Sequence, residues 1–200
     1  EILADGKLRL VNQNPSKGGG ACHVWVNDVA SHVFVANYGG GSVAALPIQQ
    51  DGSVGEASGF VQHEGSSVNK KRQEKAHGHA IYTYGKNPFV YACDLGLDKV
   101  LIYRLGSKGE LTPNEPAFAT VSPVSGPRHL AFTPDGKYAY VINELLNTIS
   151  VFKHDPAKGS LEAVEEVPTL PADFQGNSTT AEIFVHPNGK FVYGSNRGHD

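Results

Sequence analysis

Apolar and polar residues alternate in two short segments, His129–Phe132 and Tyr138–Ile142, which flank a Pro-Asp-Gly turn. Proline presets φ at such a turn and glycine tolerates a positive φ, so the pattern predicts a β-hairpin. A third alternating segment, Thr148–Lys153, follows after two residues. The three segments together predict an antiparallel meander.

The same pattern recurs along the chain. The second strand of each copy ends in Asn or Asp, at Asn37, Asp94, Asn143 and Asn196, with intervals of 57, 49 and 53 residues. Repeats of roughly 40–50 residues built from short strands are typical of propeller blades, because each small sheet buries its faces only against its neighbours. We therefore predict an all-β fold, a β-propeller of antiparallel blades.

Glycine turns after the third strands predict a fourth, outer strand in each blade. These turns are Asp51–Val54, Lys108–Leu111 and Lys158–Leu161, and Asp5–Val11 has the same form as the outer strand of a preceding blade. Two hundred residues supply about four such blades, the low end for a closed propeller, and the fourth copy stops before its third strand. The chain also has no Met. We expect residues 1–200 to form a single, incomplete propeller domain, a segment of a longer chain.

The charge balance gives no case for nucleic acid or membrane partners. The net charge is −3, and no run approaches the apolar length that a membrane span needs. Cys22 and Cys93 fall at different repeat positions, so they are expected to be free thiols. We expect a cytoplasmic protein, although a signal peptide could precede this segment, which leaves secretion or the periplasm open.

Comparison of the copies separates scaffold positions from functional ones. A position required by the scaffold keeps its residue type in every copy. The residue type varies at the position just before the first strand, where Arg128 lies, and at the position just after the closing Asn or Asp, where Glu144 and Arg197 lie. For each charge alone, a surface ion pair is the simpler interpretation. Strand ends that face a propeller axis line its central funnel, so the three together predict a site there.

Histidines recur one position later than Arg128, at His23, His79 and His129, with Glu182 in the fourth copy. Recurrence indicates structural hydrogen bonding for His23 and His129. His79 is joined by His77 on the same strand face, and a His-x-His pair can bind metal, but no third ligand lies close by.

An oxygen-rich calcium site is a further alternative. Its ligands would be Glu182 with the four closing residues Asn37, Asp94, Asn143 and Asn196. Turn capping explains the shared Asn and Asp more simply, because these side chains accept backbone hydrogen bonds at turns. We predict neither a metal nor a cofactor.

Two long polar connections, Phe60–Ala76 and Thr169–Thr179, precede the second and fourth copies and are expected to lie on one face of the disc. Long ordered loops are often functional, and the first delivers the chain to His77. A solvated charged loop is the alternative.

Several motifs resemble those of one known family. They are Asp94–Val100, Gly126–His129, Asn143–Leu145 and Ser195–Asp200, to which Asn37–Val43 and Arg72–Gln73 can be added. From Ala4 to its end the chain resembles the lactonase family of seven-bladed propellers, which contains the propeller-type 6-phosphogluconolactonases and the fungal 3-carboxy-cis,cis-muconate cyclases. The resemblance implies seven four-stranded blades in the complete protein.

The family's active-site groups carry over one at a time. The resemblance implies that the histidine of its His-x-His element is His79, its Gly-Pro-Arg arginine Arg128, its Asn-Glu-Leu glutamate Glu144 and its Ser-Asn-Arg arginine Arg197. We expect these four to be catalytic, and Arg72, His77 and His129 to contact the substrate. Gly78 stands where the family usually has a small side chain.

The resemblance implies a small anionic lactone as substrate, most simply 6-phosphogluconolactone in the pentose phosphate pathway. Glu144 or His79 would act as general base, and Arg128 and Arg197 would stabilise the developing oxyanion. A muconate cycloisomerase with the same arginines remains an alternative, as does a non-enzymatic binding platform. The sequence leaves the oligomeric state open.

Overall fold

The computed structural model describes residues 1–199, and within them it contains fourteen β-strands and no helix. The strands are β1 (Ala21–Val26), β2 (His32–Asn37), β3 (Ser42–Pro47), β4 (Gly59–Gln62), β5 (Gly78–Thr83), β6 (Phe89–Asp94), β7 (Lys99–Leu105), β8 (Leu111–Thr120), β9 (Pro127–Phe132), β10 (Tyr138–Asn143), β11 (Thr148–Asp155), β12 (Ser160–Pro168), β13 (Thr179–Val185) and β14 (Val192–Arg197). All neighbouring strands are antiparallel.

The strands form blades, as predicted. β1–β4, β5–β8 and β9–β12 are three four-stranded sheets in sequence order, and β13 and β14 pair as the start of a fourth. β8 and β12 begin at the predicted glycine turns, but the first blade differs, because Val54 makes only an isolated bridge with Ile48 and β4 starts at Gly59. Phe60 therefore belongs to a strand, and the polar connection to the second blade begins after Gln62.

The hydrophobic core lies between the blades. Between the first and second blades it contains Phe34, Val43, Ile81, Val90 and Tyr103. Between the second and third it contains Tyr91, Ile102, Leu130, Val141 and Phe152. Each sheet thus buries its faces on the adjacent sheets, which fixes the blades relative to one another.

The turns between second and third strands share one geometry. The fourth and last residue of each turn has a positive φ: 62° at Gly41, 54° at Asp98 and 55° at Asn147. Gly, Asn and Asp are the residue types that adopt this conformation at least cost. The common geometry places the first turn residue of each blade at one end of the propeller; these residues are Tyr38, Leu95 and Glu144.

A β-bulge lies at the start of each first strand. In the register, Cys22, His79 and Arg128 are the extra residues of β1, β5 and β9, and β13 has a similar irregularity between Thr180 and Ile183. The first strands of successive blades contact one another around the axis. A bulge changes the direction of a side chain, so these residues are aimed at the same end of the axis as the turn residues.

The bulges correct the comparison of the copies made from sequence. His79 is equivalent to Cys22 and Arg128, and Ala80 is equivalent to His23 and His129. His77 lies ahead of β5, so it does not share a strand face with His79. The sequence comparison was wrong by one residue in the second blade because a bulge breaks the two-residue period without changing composition.

Candidate active site

Glu144 is the centre of the site. Its carboxylate is 6% exposed and accepts contacts from three arginines. Arg72 Nη2 lies 2.5 Å from Oε1, while Arg128 Nε and Arg197 Nη2 each lie 3.1 Å from Oε2. Charge-assisted hydrogen bonds of this kind hold guanidinium groups in fixed directions.

Four separate elements deliver these side chains. Arg128 is the bulged residue of β9, Glu144 is the first residue of the turn after β10, and Arg197 ends β14. Arg72 comes from the connection between β4 and β5. The third and fourth blades therefore supply one side of the cluster, and a connection between the first two blades supplies the other.

The cluster forms one wall of an open cleft of about 490 Å³. Its lining residues are Gly20, Ala21, Cys22, Tyr38, Gly39, Arg72, His79, Glu144 and Arg197. A cavity of this size falls within the range of small-molecule sites. The structure thus brings together Arg72, His79, Glu144 and Arg197 around one space, with Arg128 directly behind Glu144.

His79 is a neutral imidazole at the base of this cleft. Burial and the positive charge of Arg128 lower the pKa of His79 to about 3. Its Nδ1 is buried and, among the described residues, has no hydrogen-bond partner. The ring makes an edge contact with Tyr38, with centroids 5.6 Å apart. A neutral imidazole can accept a proton at its unprotonated ring nitrogen, but the buried Nδ1 is not open to the cleft.

His77 and His129 are not placed among the lining residues. His77 Nδ1 lies 3.0 Å from the Tyr38 carbonyl and Nε2 lies 3.1 Å from Glu74, so both ring nitrogens contact protein atoms. His129 Nδ1 lies 2.8 Å from Glu182 Oε1, and burial and Arg128 lower the pKa of His129 to about 4. Both histidines support the cleft from behind.

Tyr38 and Cys22 are lining residues that the sequence interpretation did not select. Tyr38 occupies the turn position of Glu144, and Cys22 the bulge position of Arg128, so the repeat contained the signal for both. Cys22 and Cys93 are free thiols, as expected, and burial raises the pKa of the Cys22 thiol.

The closing Asn and Asp residues serve the scaffold. Asp94 accepts backbone hydrogen bonds from His77 and Gly96, as turn capping predicts. Asn37 and Asn143 instead donate from Nδ2 to hydroxyl groups of the following strand. Within residues 1–199, no group of three His, Cys, Asp or Glu side chains is placed to hold a metal ion.

The match to known proteins covers the whole sequence. Residues 1–200 match the family model described as Lactonase, 7-bladed beta-propeller. The chain belongs to this family. It is 39% identical over 195 residues to 6-phosphogluconolactonase of Bacillus subtilis strain 168, covering 98% of the chain and 55% of that relative. It is 35% identical over 179 residues to the 6-phosphogluconolactonase of Pectobacterium carotovorum, covering 90% and 51%.

A solved structure supports the same family assignment. The periplasmic gluconolactonase PpgL of Pseudomonas aeruginosa superposes with a TM-score of 0.88 at 31% identity, covering 97% of this chain and 55% of that one. The chain thus spans about half the length of the relatives it matches. Residues 1–199 contain no helical segment with the length and hydrophobicity that a membrane span requires.

Proposed function

We propose that the complete protein hydrolyses a lactone, most specifically 6-phosphogluconolactone to 6-phosphogluconate. The observation that carries the proposal is the arrangement of Arg72, Arg128 and Arg197 around Glu144, beside a neutral His79 in one open cleft. The names of the lactonase relatives supply the substrate class.

The charge of the cluster suits an anionic substrate. Three guanidinium groups face one carboxylate, which leaves two positive charges uncompensated at the cleft. Positive groups fixed in place stabilise the oxyanion that forms when water attacks a lactone carbonyl, and they need no rearrangement during the reaction.

The two candidates for the general base differ in their contacts. Both oxygens of Glu144 already accept hydrogen bonds from arginines, so its carboxylate holds the guanidinium groups in position. His79 lines the cleft as a neutral imidazole, the form that accepts a proton; because burial and Arg128 lower its pKa to about 3, it is a weak base that gives the proton up readily to the leaving oxygen. We assign the general base to His79.

The reaction then balances as follows. His79 takes a proton from water as the water oxygen bonds to the carbonyl carbon, and the arginines stabilise the resulting oxyanion. When the carbonyl re-forms, the ring C–O bond breaks and the leaving oxygen takes the proton back from the imidazolium. The products are the open-chain hydroxy acid and the starting state of His79.

The test is hydrolysis of freshly generated 6-phosphogluconolactone by the complete protein, measured against the spontaneous rate with and without a chelator. We expect chelator-insensitive acceleration, and a fall in kcat of roughly 10²–10³ for Arg128→Ala and for His79→Gln. Glu165→Gln, on the exposed outer strand β12, is the control and keeps full activity. Unchanged turnover in both Arg128→Ala and His79→Gln would contradict the proposed mechanism.

The same cationic cleft favours one second candidate. Arg72 and Arg197, which line the cleft, can equally hold the carboxylates of 3-carboxy-cis,cis-muconate, with His79 moving the proton during cyclisation. Turnover of muconate without turnover of the lactone would select this reaction, and no turnover of either would leave a binding role.

A further inference from the structure

The connection from His63 to His77, here called the arm, places two cations at the cleft. Arg72 Nη2 lies 2.5 Å from Glu144 Oε1 and 3.4 Å from the Tyr38 hydroxyl. Lys75 Nζ donates to the Gly39 carbonyl at 2.8 Å, and Gly39 itself lines the cleft. The arm thus puts one guanidinium inside the cleft and one ammonium at its rim.

The arm is an ordered element fixed to the scaffold. Gln73 is fully buried, and its Nε2 donates to the Leu95 carbonyl and to Asp98 Oδ1. The Ser67 hydroxyl donates to Asp98 Oδ2. Buried hydrogen bonds of this kind hold a backbone in one conformation, so Arg72 and Lys75 have a defined position before any ligand binds.

Arg72 differs from Arg128 in how many of its guanidinium nitrogens make hydrogen bonds. Arg128 donates from Nε to Glu144 and from Nη1 to the Ala181 carbonyl, and its side chain is 17% exposed. Arg72 makes both its contacts through Nη2, and its side chain is 40% exposed. Among the described residues its Nε and Nη1 have no partner, so they are free to bind a ligand oxygen.

Tyr38 ties the arm to the first blade. Its ring stacks on His77 with centroids 4.5 Å apart and planes inclined by 20°, and its hydroxyl contacts Arg72. His77 Nε2 in turn contacts Glu74, which belongs to the arm. Tyr38 therefore holds the arm at two points and directs the Arg72 guanidinium.

We propose that Arg72 and Lys75 form the subsite for the phosphate group of the substrate, and that Tyr38 is the residue that positions this subsite. A phosphate monoester carries nearly two negative charges at neutral pH, which matches one guanidinium and one ammonium. The relatives named above differ in this group, since two are named for a phosphorylated lactone and one for gluconolactone. This inference rests on the proposed function.

The test compares two substrates that differ only in the phosphate. Steady-state kinetics of the complete protein would be measured on 6-phosphogluconolactone and on glucono-1,5-lactone. For Arg72→Gln we expect KM for the phosphorylated lactone to rise at least ~10-fold more than KM for gluconolactone, in addition to any fall in kcat that the two substrates share. Lys75→Gln and Tyr38→Phe should show the same selectivity to a smaller extent.

Lys71→Gln is the matched control. Lys71 lies on the same arm and is exposed, and the substitution makes the same change in charge, so both substrates should be unaffected. An equal loss on both lactones in Arg72→Gln, or an equal effect of Lys71→Gln and Arg72→Gln, would overturn the subsite.

Binding of the products separates this inference from the proposed reaction. Calorimetry on the wild-type protein should show 6-phosphogluconate binding at least ~10-fold tighter than gluconate, with the difference lost in Arg72→Gln. If that pattern appears without catalysis, the subsite stands and the proposed function fails. If catalysis occurs but the two acids bind equally in both proteins, the subsite fails and the proposed function stands.

Discussion

Glu144 contributes to the stability of the fold, because within residues 1–199 it is the carboxylate that faces three guanidinium groups. Glu144→Gln removes the negative charge while keeping the size of the side chain. We expect the free energy of unfolding to fall by about 1–3 kcal/mol, less than for a fully buried ion pair because Arg72 and Arg197 are partly exposed. Urea unfolding measures this loss.

Added phosphate provides the check on that explanation. An anion that binds the unpaired arginines of Glu144→Gln should raise its unfolding midpoint more than that of the wild-type protein. Glu165→Gln should respond to phosphate like the wild type. A destabilised Glu144→Gln variant that gains nothing from phosphate would show that like-charge repulsion is not the cause.

The buried histidines predict loss of stability in acid. Burial is the main cause that lowers the pKa of His23 and His129 to about 4 and that of His79 to about 3, against an ordinary value of 6.5. Between pH 6.5 and about 4 the unfolded chain therefore binds more protons than the native one. Stability from these groups is fully present above pH 6.5 and falls as the pH drops through that window.

The measurement is the unfolding midpoint and the proton uptake on unfolding across pH 4–7. Each of the three histidines should contribute up to about one proton near pH 5. His79→Gln should lower the proton uptake by up to about one proton near pH 5. Uptake that stays the same in His79→Gln would contradict the assignment.

Among the elements, the bulges decide what the site contains. Strand order, turns and the outer strands of two blades were predictable, because alternation and glycine turns are local signals. The bulge at His79 was not, since one extra residue leaves the apolar pattern of β5 readable in two registers. His79 was selected by the family resemblance, and the structure supplies the physical reason for its position.

The buried carboxylate of Asp98 links the arm to the segment that leads into β9. It accepts hydrogen bonds from Ser67 and Gln73 of the arm and from the backbone of Val124 and Gly126, which lead into β9 and Arg128. Asp98→Asn keeps the shape and tolerates the positive φ, but it replaces one acceptor oxygen by a donor. We expect a loss of about 1–3 kcal/mol in the free energy of unfolding.

Because Asp98 lies outside the cleft lining, its effect on activity tests this link. We expect Asp98→Asn to raise KM for 6-phosphogluconolactone more than it changes kcat, at a temperature where the variant is fully folded. Asp51→Asn changes the same group in an exposed turn and should alter neither quantity. A fall in stability with unchanged KM would limit Asp98 to a role in folding.

At the scale of the molecule, the repeat made the architecture predictable and left the chemistry partly hidden. Four blades and the convergence of Arg128, Glu144 and Arg197 followed from equivalent positions around one axis. The contact between Arg72 and Glu144, which are 72 residues apart, could not be predicted from the repeat. It depends on buried hydrogen bonds of Gln73, which have no periodic signal in the sequence.

Comparison of equivalent positions in the repeat also shows which blade faces are exposed. Val24 is 65% exposed, although Ile81 and Leu130, its equivalents in the second and third blades, are buried between blades. Phe184 and Tyr193, in the two strands of the fourth and last blade, are also exposed. In a closed seven-bladed ring, neighbouring blades cover both faces.

We therefore expect residues 1–200, expressed by themselves, to self-associate through these two faces. Light scattering should report species larger than a monomer, and Val24→Lys combined with Phe184→Lys should shift them towards the monomer. In the complete protein each substitution should instead lower stability by about 1.5–3 kcal/mol, because it would bury a charge where an apolar side chain packs. A monodisperse, cooperatively folding fragment would show that the inter-blade cores described above suffice without further cover of the end faces.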